Sequence, residues 1–164
     1  MVMIIRKAKP SDLDGIYSVF LELAKIEDKS ASRIANFVGA IRKRRKTFER
    51  DVKKELLKEI RERKSVYLVA EVSNNIVGYA YGSFDDSRNS FFDIPITGVA
   101  NALVVRKKYQ GKGIASLLVK ERDKWFKKKG CKVVYLEVYP TNDAINFHKK
   151  LGYKTTILKM CRKL

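Results

Sequence analysis

The spacing of apolar residues changes several times along the chain, and each change predicts an element. Residues 3–8 read as a first strand. Pro10-Ser11-Asp12 then opens a helix, with Ser11 or Asp12 as N-cap and Leu13, Ile16, Tyr17, Phe20, Leu23 and Ala24 on one face. Asp28-Lys29-Ser30 is expected to break it. Beyond that, Ile34, Phe37, Val38, Ile41, Phe48, Val52, Leu56 and Ile60 keep helical spacing through a strongly basic stretch. One long helix, or two with a bend near Lys46-Thr47, satisfies that pattern.

The second half is richer in β-formers. Residues 66–72 and 76–84 read as a hairpin turning at Ser73-Asn74-Asn75. A loop over 85–95 follows, full of Asp, Ser, Asn and Pro, and then a strand over 99–105. The next helix runs from Ile114 to about Lys129, with Ile114, Leu117, Leu118, Trp125 and Phe126 inward and Gly130 as the residue that ends it. Residues 133–139 form another strand, Thr141 caps a short helix ending at Leu151-Gly152, and 153–158 close the chain as a strand. The order β-α-α-β-β-β-α-β-α-β predicts an α/β fold: one domain over 1–164, a mixed sheet with helices on its faces.

Composition narrows the class. The chain has 164 residues, 45% hydrophobic and 33% charged, which is a globular balance with enough apolar surface for a core. No apolar run reaches membrane-spanning length, and the first residues are too short for a secretory signal. Two cysteines, Cys131 and Cys161, are too few for a disulfide framework, and no metal-ligand spacing surrounds them. A reduced, cytoplasmic, metal-free protein is expected. The formal net charge of +18 attracts nucleotide cofactors, nucleic acid or acidic proteins, or else marks a lysine-rich, heat-adapted surface.

One stretch carries candidate chemistry. The strand over 99–105 leads into Tyr109-Gln110-Gly111-Lys112-Gly113-Ile114-Ala115, where the next helix begins. First-turn N–H groups of a helix lack internal partners, and the helix dipole favours negative charge beside them. Two glycines let a ligand reach the backbone. A phosphate-bearing ligand is expected here.

Two features one strand–helix–strand crossover apart sharpen this. Gln110-x-x-Gly113-x-Ala115 follows the strand ending Leu103-Val104-Val105. Glu137-Val138 comes next, then Asn142, Ala144-Ile145, Phe147-His148 and Leu151-Gly152-Tyr153. Together they resemble the GNAT family of N-acetyltransferases, whose phosphate signature is Arg/Gln-x-x-Gly-x-Gly/Ala. The resemblance implies a three-layer α/β/α fold with a mixed, mostly antiparallel sheet, and acetyl-CoA as acetyl donor. Two parallel strands would splay beside a bulge to admit the pantetheine arm. Leu103, Val104 and Val105 would offer it backbone partners, and the amides of Gly111, Lys112, Gly113, Ile114 and Ala115 would hold the diphosphate, with Gln110 shaping the turn. Asn142 would contact pantetheine, although it stands one residue closer to the helix site than is usual in close relatives.

The resemblance also implies roles for two side chains. Glu137 sits where some relatives carry a general base, and it reads equally as a solvent-facing strand carboxylate. His148, the only histidine, takes the place of the usual Tyr that protonates the departing thiolate. The acceptor would be a primary amine: a protein N-terminus, a lysine or a small amine. Asp85, Asp86 and Asp93 offer charge for it, or form a solvated loop. Residues 42–46 read as a basic helix facing solvent, an acidic protein or nucleic acid. A nucleic-acid-binding protein, or a CoA-binding sensor without turnover, are the competing readings; monomer and homodimer are both open.

Overall fold

The computed structural model describes residues 3–87 and 91–163. Residues 88–90 of the loop expected over 85–95 lie outside the described residues. The chain divides into two compact units, Met1–Leu23 with Lys46–Glu137, and Ala24–Arg45 with Val138–Leu164.

The first unit holds a five-stranded sheet in sequence order: β1 (Met3–Lys7), β2 (Ser65–Val72), β3 (Asn75–Asp85), β4 (Thr97–Val105) and β5 (Val133–Tyr135). The first four are antiparallel neighbours, and β5 runs parallel to β4. The hairpin turn forms as its composition predicts. Ser73 and Asn74 take left-handed backbone angles (φ 48° and 62°), which matches the twist of two strands joined by a two-residue loop.

Strict alternation sorts the side chains of β2 onto two faces. Val66, Leu68, Ala70 and Val72 pack with Val105, Ile114 and Leu118 beneath α4 (Ile114–Lys128). Tyr67 and Val69 pack on the other face with Ile16 and Val19 of α1 (Leu13–Ile34) and Leu56 of α3 (Phe48–Arg61). Helices on both faces of a mixed sheet give the expected three layers. Within α4 the inward set is Ile114, Leu118, Val119, Arg122 and Phe126, whereas Leu117, expected inside, is 40% exposed. Phe126 presses against the sheet: a Cβ at Gly82 or Gly98 would come within 2.7 or 2.9 Å of its ring. The helix ends as expected at Gly130, with Cys131 N donating to Phe126 O and Gly130 N to Lys127 O.

Helix boundaries differ from the sequence pattern where side chains bond the backbone. The α1 entry is a 3₁₀ turn over Pro10–Asp12, and the Asp12 carboxylate accepts Lys9 N at 2.8 Å. The expected break at Asp28-Lys29-Ser30 does not occur. Ser30 Oγ donates to Ile26 O at 2.8 Å, one turn back, and the helix continues to Ile34. Two helices follow, α2 (Asn36–Ala40) and α3, so the basic run at 42–46 lies in a non-helical link.

The second unit contains the end of α1, α2 and α5 (Ala144–Lys150). Polar contacts hold it together. Arg42 donates to Glu27 and Asp28, both at 2.8 Å, Arg44 donates to Asp28, and Thr141 Oγ1 donates to Ser30 O. Thr141 is therefore occupied elsewhere; the N-cap of α5 is Asp143, and Asn142 just ahead of it accepts Ala144 N at 2.9 Å. The strand expected over 153–158 is not formed. Thr155, Thr156 and Ile157 favour extended backbone, but a strand exists only where a neighbouring ladder pairs with it.

Candidate active site

The β4 strand changes partners along its length. Its parallel pairing with β5 covers only Thr97↔Val133, Gly98↔Val134 and Val99↔Tyr135. The strand expected over 133–139 therefore stops early, and Glu137 lies exposed beyond it. Just past Val99 the register with β3 shifts: Ser83 faces Val99 and Tyr81 faces Ala102, so Ala100 and Asn101 oppose the single residue Gly82. This is a β-bulge, and it coincides with the point where β4 loses its parallel neighbour.

From the bulge to Val105 one edge of β4 is unpaired. Arg106 N donates to Val77 O at 2.8 Å, which sets the alternation. The backbone groups of Val104 face β3, while those of Leu103 and Val105 face the open edge. Of the three residues expected to offer backbone partners, Val104 is thus turned away. The Val105 carbonyl already accepts Gln110 Nε2 at 2.8 Å, a bond that folds the turn back on the strand end. Arg106 is anchored by Glu22 at 2.7 Å and Ser18 at 2.9 Å, so the strand end is firmly held.

The turn then presents backbone outward. Gly111 and Gly113 have φ of +74° and +76°, and a Cβ at either would meet nothing within 4 Å. Gly113 is the N-cap of α4, and the first intrahelical bond is Leu117 N to Gly113 O at 3.1 Å. The N–H groups of Ile114, Ala115 and Ser116 precede that bond and point along the helix axis. Ile114 is buried and Ala115 half-buried against the α4 core, which fixes the helix start. Lys112 stands over the Tyr109 ring at 5.4 Å. Open left-handed glycines, orphan amides and a helix dipole of one sign fit a diphosphate.

Residues 34–153 match the model of the acetyltransferase (GNAT) family. The chain belongs to that family. An acetyltransferase of Pectobacterium atrosepticum is 36% identical over 91 residues, 55% of this chain and 58% of the relative. The GNAT chain thus matches little more than half the length of that relative. In fold it resembles a mutant of a Bacillus halodurans protein (TM-score 0.83, 21% identity, 98% of this chain and 99% of that one). It also resembles the aminoglycoside N-acetyltransferase AAC(6')-Iy, solved with a bisubstrate analog, CoA-S-monomethyl-acetylneamine (TM-score 0.71, 16% identity, 100% and 99% of the two chains).

Other expected site residues of the GNAT chain fall in different surroundings. Asn142 and His148 belong to the second unit, just ahead of the N-cap and in the body of α5. The His148 ring is half-buried and stands edge-on to Phe147 at 5.6 Å and to Tyr153 at 5.7 Å. Asp86 is paired with Lys64 at 2.5 Å, and Asp85 accepts Ser87 N at 2.8 Å, so both are engaged; Asp93 is exposed. Among the described residues no group of His, Cys, Asp or Glu is arranged to hold a metal, and no helix is long and apolar enough to cross a membrane.

The sequence reading overlooked a wall on the α1/α3 face. Tyr67 is buried, stacked on Tyr81 and tilted against Tyr79, with ring centroids 5.2 Å apart in each case. Glu59 of α3 faces them, and burial together with the like charges of Glu55 and Glu62 pushes its carboxyl up to about 7. Tyr79 and Tyr81 alternate along one strand of a hairpin and Tyr67 lies opposite Tyr81, a pattern visible in the sequence; that Glu59 faces them depends on α3 docking.

Proposed function

We propose that this chain is an N-acetyltransferase domain that moves the acetyl group of acetyl-CoA to a primary amine. One observation carries the reading: β4 loses its parallel neighbour at a bulge and leads, through a 3₁₀ turn over Lys107–Tyr109, into two open left-handed glycines and the unpaired amides at the start of α4. The open-edge groups of Leu103 and Val105 would bond the pantetheine amides. The amides of Gly111, Lys112, Gly113, Ile114 and Ala115 would hold the diphosphate, with Lys112 adding charge. A thioester held this way would lie toward the bulge, open to a nucleophile from the α1/α3 face.

Acetyl transfer needs a neutral amine and a protonated leaving thiolate. A carboxylate such as Glu137 would serve the first requirement. His148 would serve the second, in the place where relatives of this family carry Tyr, and Asn142 would steady the pantetheine arm. Two of the basic residues at 42–46, Arg42 and Arg44, are bound to Glu27 and Asp28, which leaves less free charge for a nucleic-acid surface.

The test is calorimetric. Gly113 is strained by any side chain at φ +76°, so the cleaner variant is Ser116→Glu, an exposed first-turn position where Glu suits the helix. It should fold normally and bind acetyl-CoA at least ~10-fold more weakly, about 1.4 kcal/mol; equal affinity overturns the reading. His148→Phe should lower kcat by ~10-fold or more while leaving acetyl-CoA affinity within about twofold. Unchanged thiol release would remove His148 from the reaction.

A further inference from the structure

Three neighbouring features on the α1/α3 face have no part in holding the donor. The Asn101 side chain is exposed on the β4 bulge and donates to Ser83 Oγ at 2.8 Å. Tyr81, the Cα partner of Ala102, is half-buried beside it, and the Asn101 amide offsets part of the rise that burial imposes on the phenol. Glu59 is set beside them by its backbone and its helix: Ser65 Oγ donates to Glu59 O at 2.7 Å, Ser65 is the Cα partner of Ser83, and Leu56 and Ile60 of α3 pack into the cluster that holds Tyr67 and Tyr81. The series runs from solvent at the bulge, past one phenol, to a half-buried carboxyl.

We propose that Glu59 takes up the proton lost by a cationic primary amine, with Tyr81 and Asn101 lining the way from the β4 bulge. The proposal rests on the acetyl-CoA reading for the position of the thioester. Its support from geometry is the coincidence of three things: the bulge, the end of the β4–β5 pairing and the tyrosine wall. Its support from charge is local. Glu55 and Glu59 stand one turn apart on α3, and Glu62 is its C-cap, so three carboxylates gather at the end of this helix in a chain of net charge +18. Lys58 is the counter-charge on the same helix, and it is bound to Glu55 at 3.0 Å. Glu59 is thus surrounded by carboxylates on α3 and by the phenols of Tyr67 and Tyr81 from the sheet. A carboxyl so placed holds a proton near neutral pH and returns it to water, which suits a general base. On this proposal the base is Glu59 in place of Glu137, which lies exposed beyond β5.

The step balances as follows. An ammonium N–H bond breaks, and an O–H bond forms on Glu59. The neutral nitrogen attacks the thioester carbonyl, the C–N bond forms and the C–S bond breaks. The second nitrogen proton passes to the thiolate, and Glu59 releases its proton to solvent. The acceptor is a primary ammonium.

Two measurements on the full chain decide this. In ¹³C-carboxyl NMR, the Glu resonance that Glu59→Gln removes should titrate near neutral pH; titration in the ordinary Glu range overturns the proposal. Thiol release from acetyl-CoA is then followed from pH 5.5 to 9 with spermidine and with an N-terminally blocked lysine peptide as probes. Glu59→Gln should lower kcat/KM at least tenfold and remove the acidic limb of the profile, and Tyr81→Phe should lower kcat while keeping that limb. Glu59→Gln with an unchanged rate and limb overturns the role of Glu59. No transfer to either probe overturns the amine assignment. Acetyl-CoA calorimetry on the unaltered chain reports separately on the donor reading, so the two failures are distinct.

Discussion

Asp12 and Glu59 are both carboxylates drawn into the first unit, and their surroundings are opposite. Asp12 meets the Arg6 guanidinium at 2.7 and 2.8 Å and accepts Lys9 N, and Arg6 also reaches Glu71. The hydrogen bond from Arg6 holds the Asp12 carboxyl below its usual range despite burial. At Glu59 burial comes first, then two like charges, and together they outweigh the pull of Lys58, so its carboxyl rises. The comparison separates two uses of a buried acid. A carboxylate that ties β1 to the start of α1 is neutralised by a fixed partner, whereas one that exchanges protons is held where neither state is strongly preferred.

Breaking the first corner should have the larger effect. Asp12→Asn leaves Arg6 half-buried with Glu71 alone, and should lower unfolding stability at pH 7 by about 2 kcal/mol in a urea titration. Wild-type stability from this pair is present above the unfolded Asp range and is lost as pH falls below it, because the native carboxyl resists protonation. A variant within about 0.5 kcal/mol of wild type would mean the pair is only a surface contact.

Glu59 should behave with the opposite sign. Its native carboxyl binds a proton more tightly than the unfolded one, so stability falls as pH rises from the ordinary Glu range through about 7. Glu59→Gln should flatten that slope and stabilise the fold at pH 8 by about 1–2 kcal/mol, less than full desolvation because water reaches the group. A gain in stability together with a loss of turnover would be the signature of a functional residue that strains its own fold. A loss of stability at pH 8 would make Glu59 a structural acid like Asp12.

Much of the candidate site's local structure was readable from nearby residues. The turn at 109–115 is legible because glycine, a preceding β-run and a following amphipathic helix are all short-range signals. The hairpin at Ser73-Asn74 and the end of α4 at Gly130 were equally local. The boundaries that failed share a cause. Ser30 reads as a breaker until its hydroxyl bonds Ile26 O, and Thr141 reads as a cap until it bonds Ser30 O. Leu117 has the right period for burial, but the docking of α4 centres on Leu118 and Phe126.

By itself the chain's order of residues determined the hairpin, the body of α4 and the glycine turn at 109–115, since propensity, periodicity and glycine placement act over a few residues. Only the tertiary structure decided where β5 parts from β4, which edge of β4 stays open and which carboxyl faces the tyrosines. Those outcomes depend on strand register and helix docking between segments far apart in the chain, and no short window of residues encodes them.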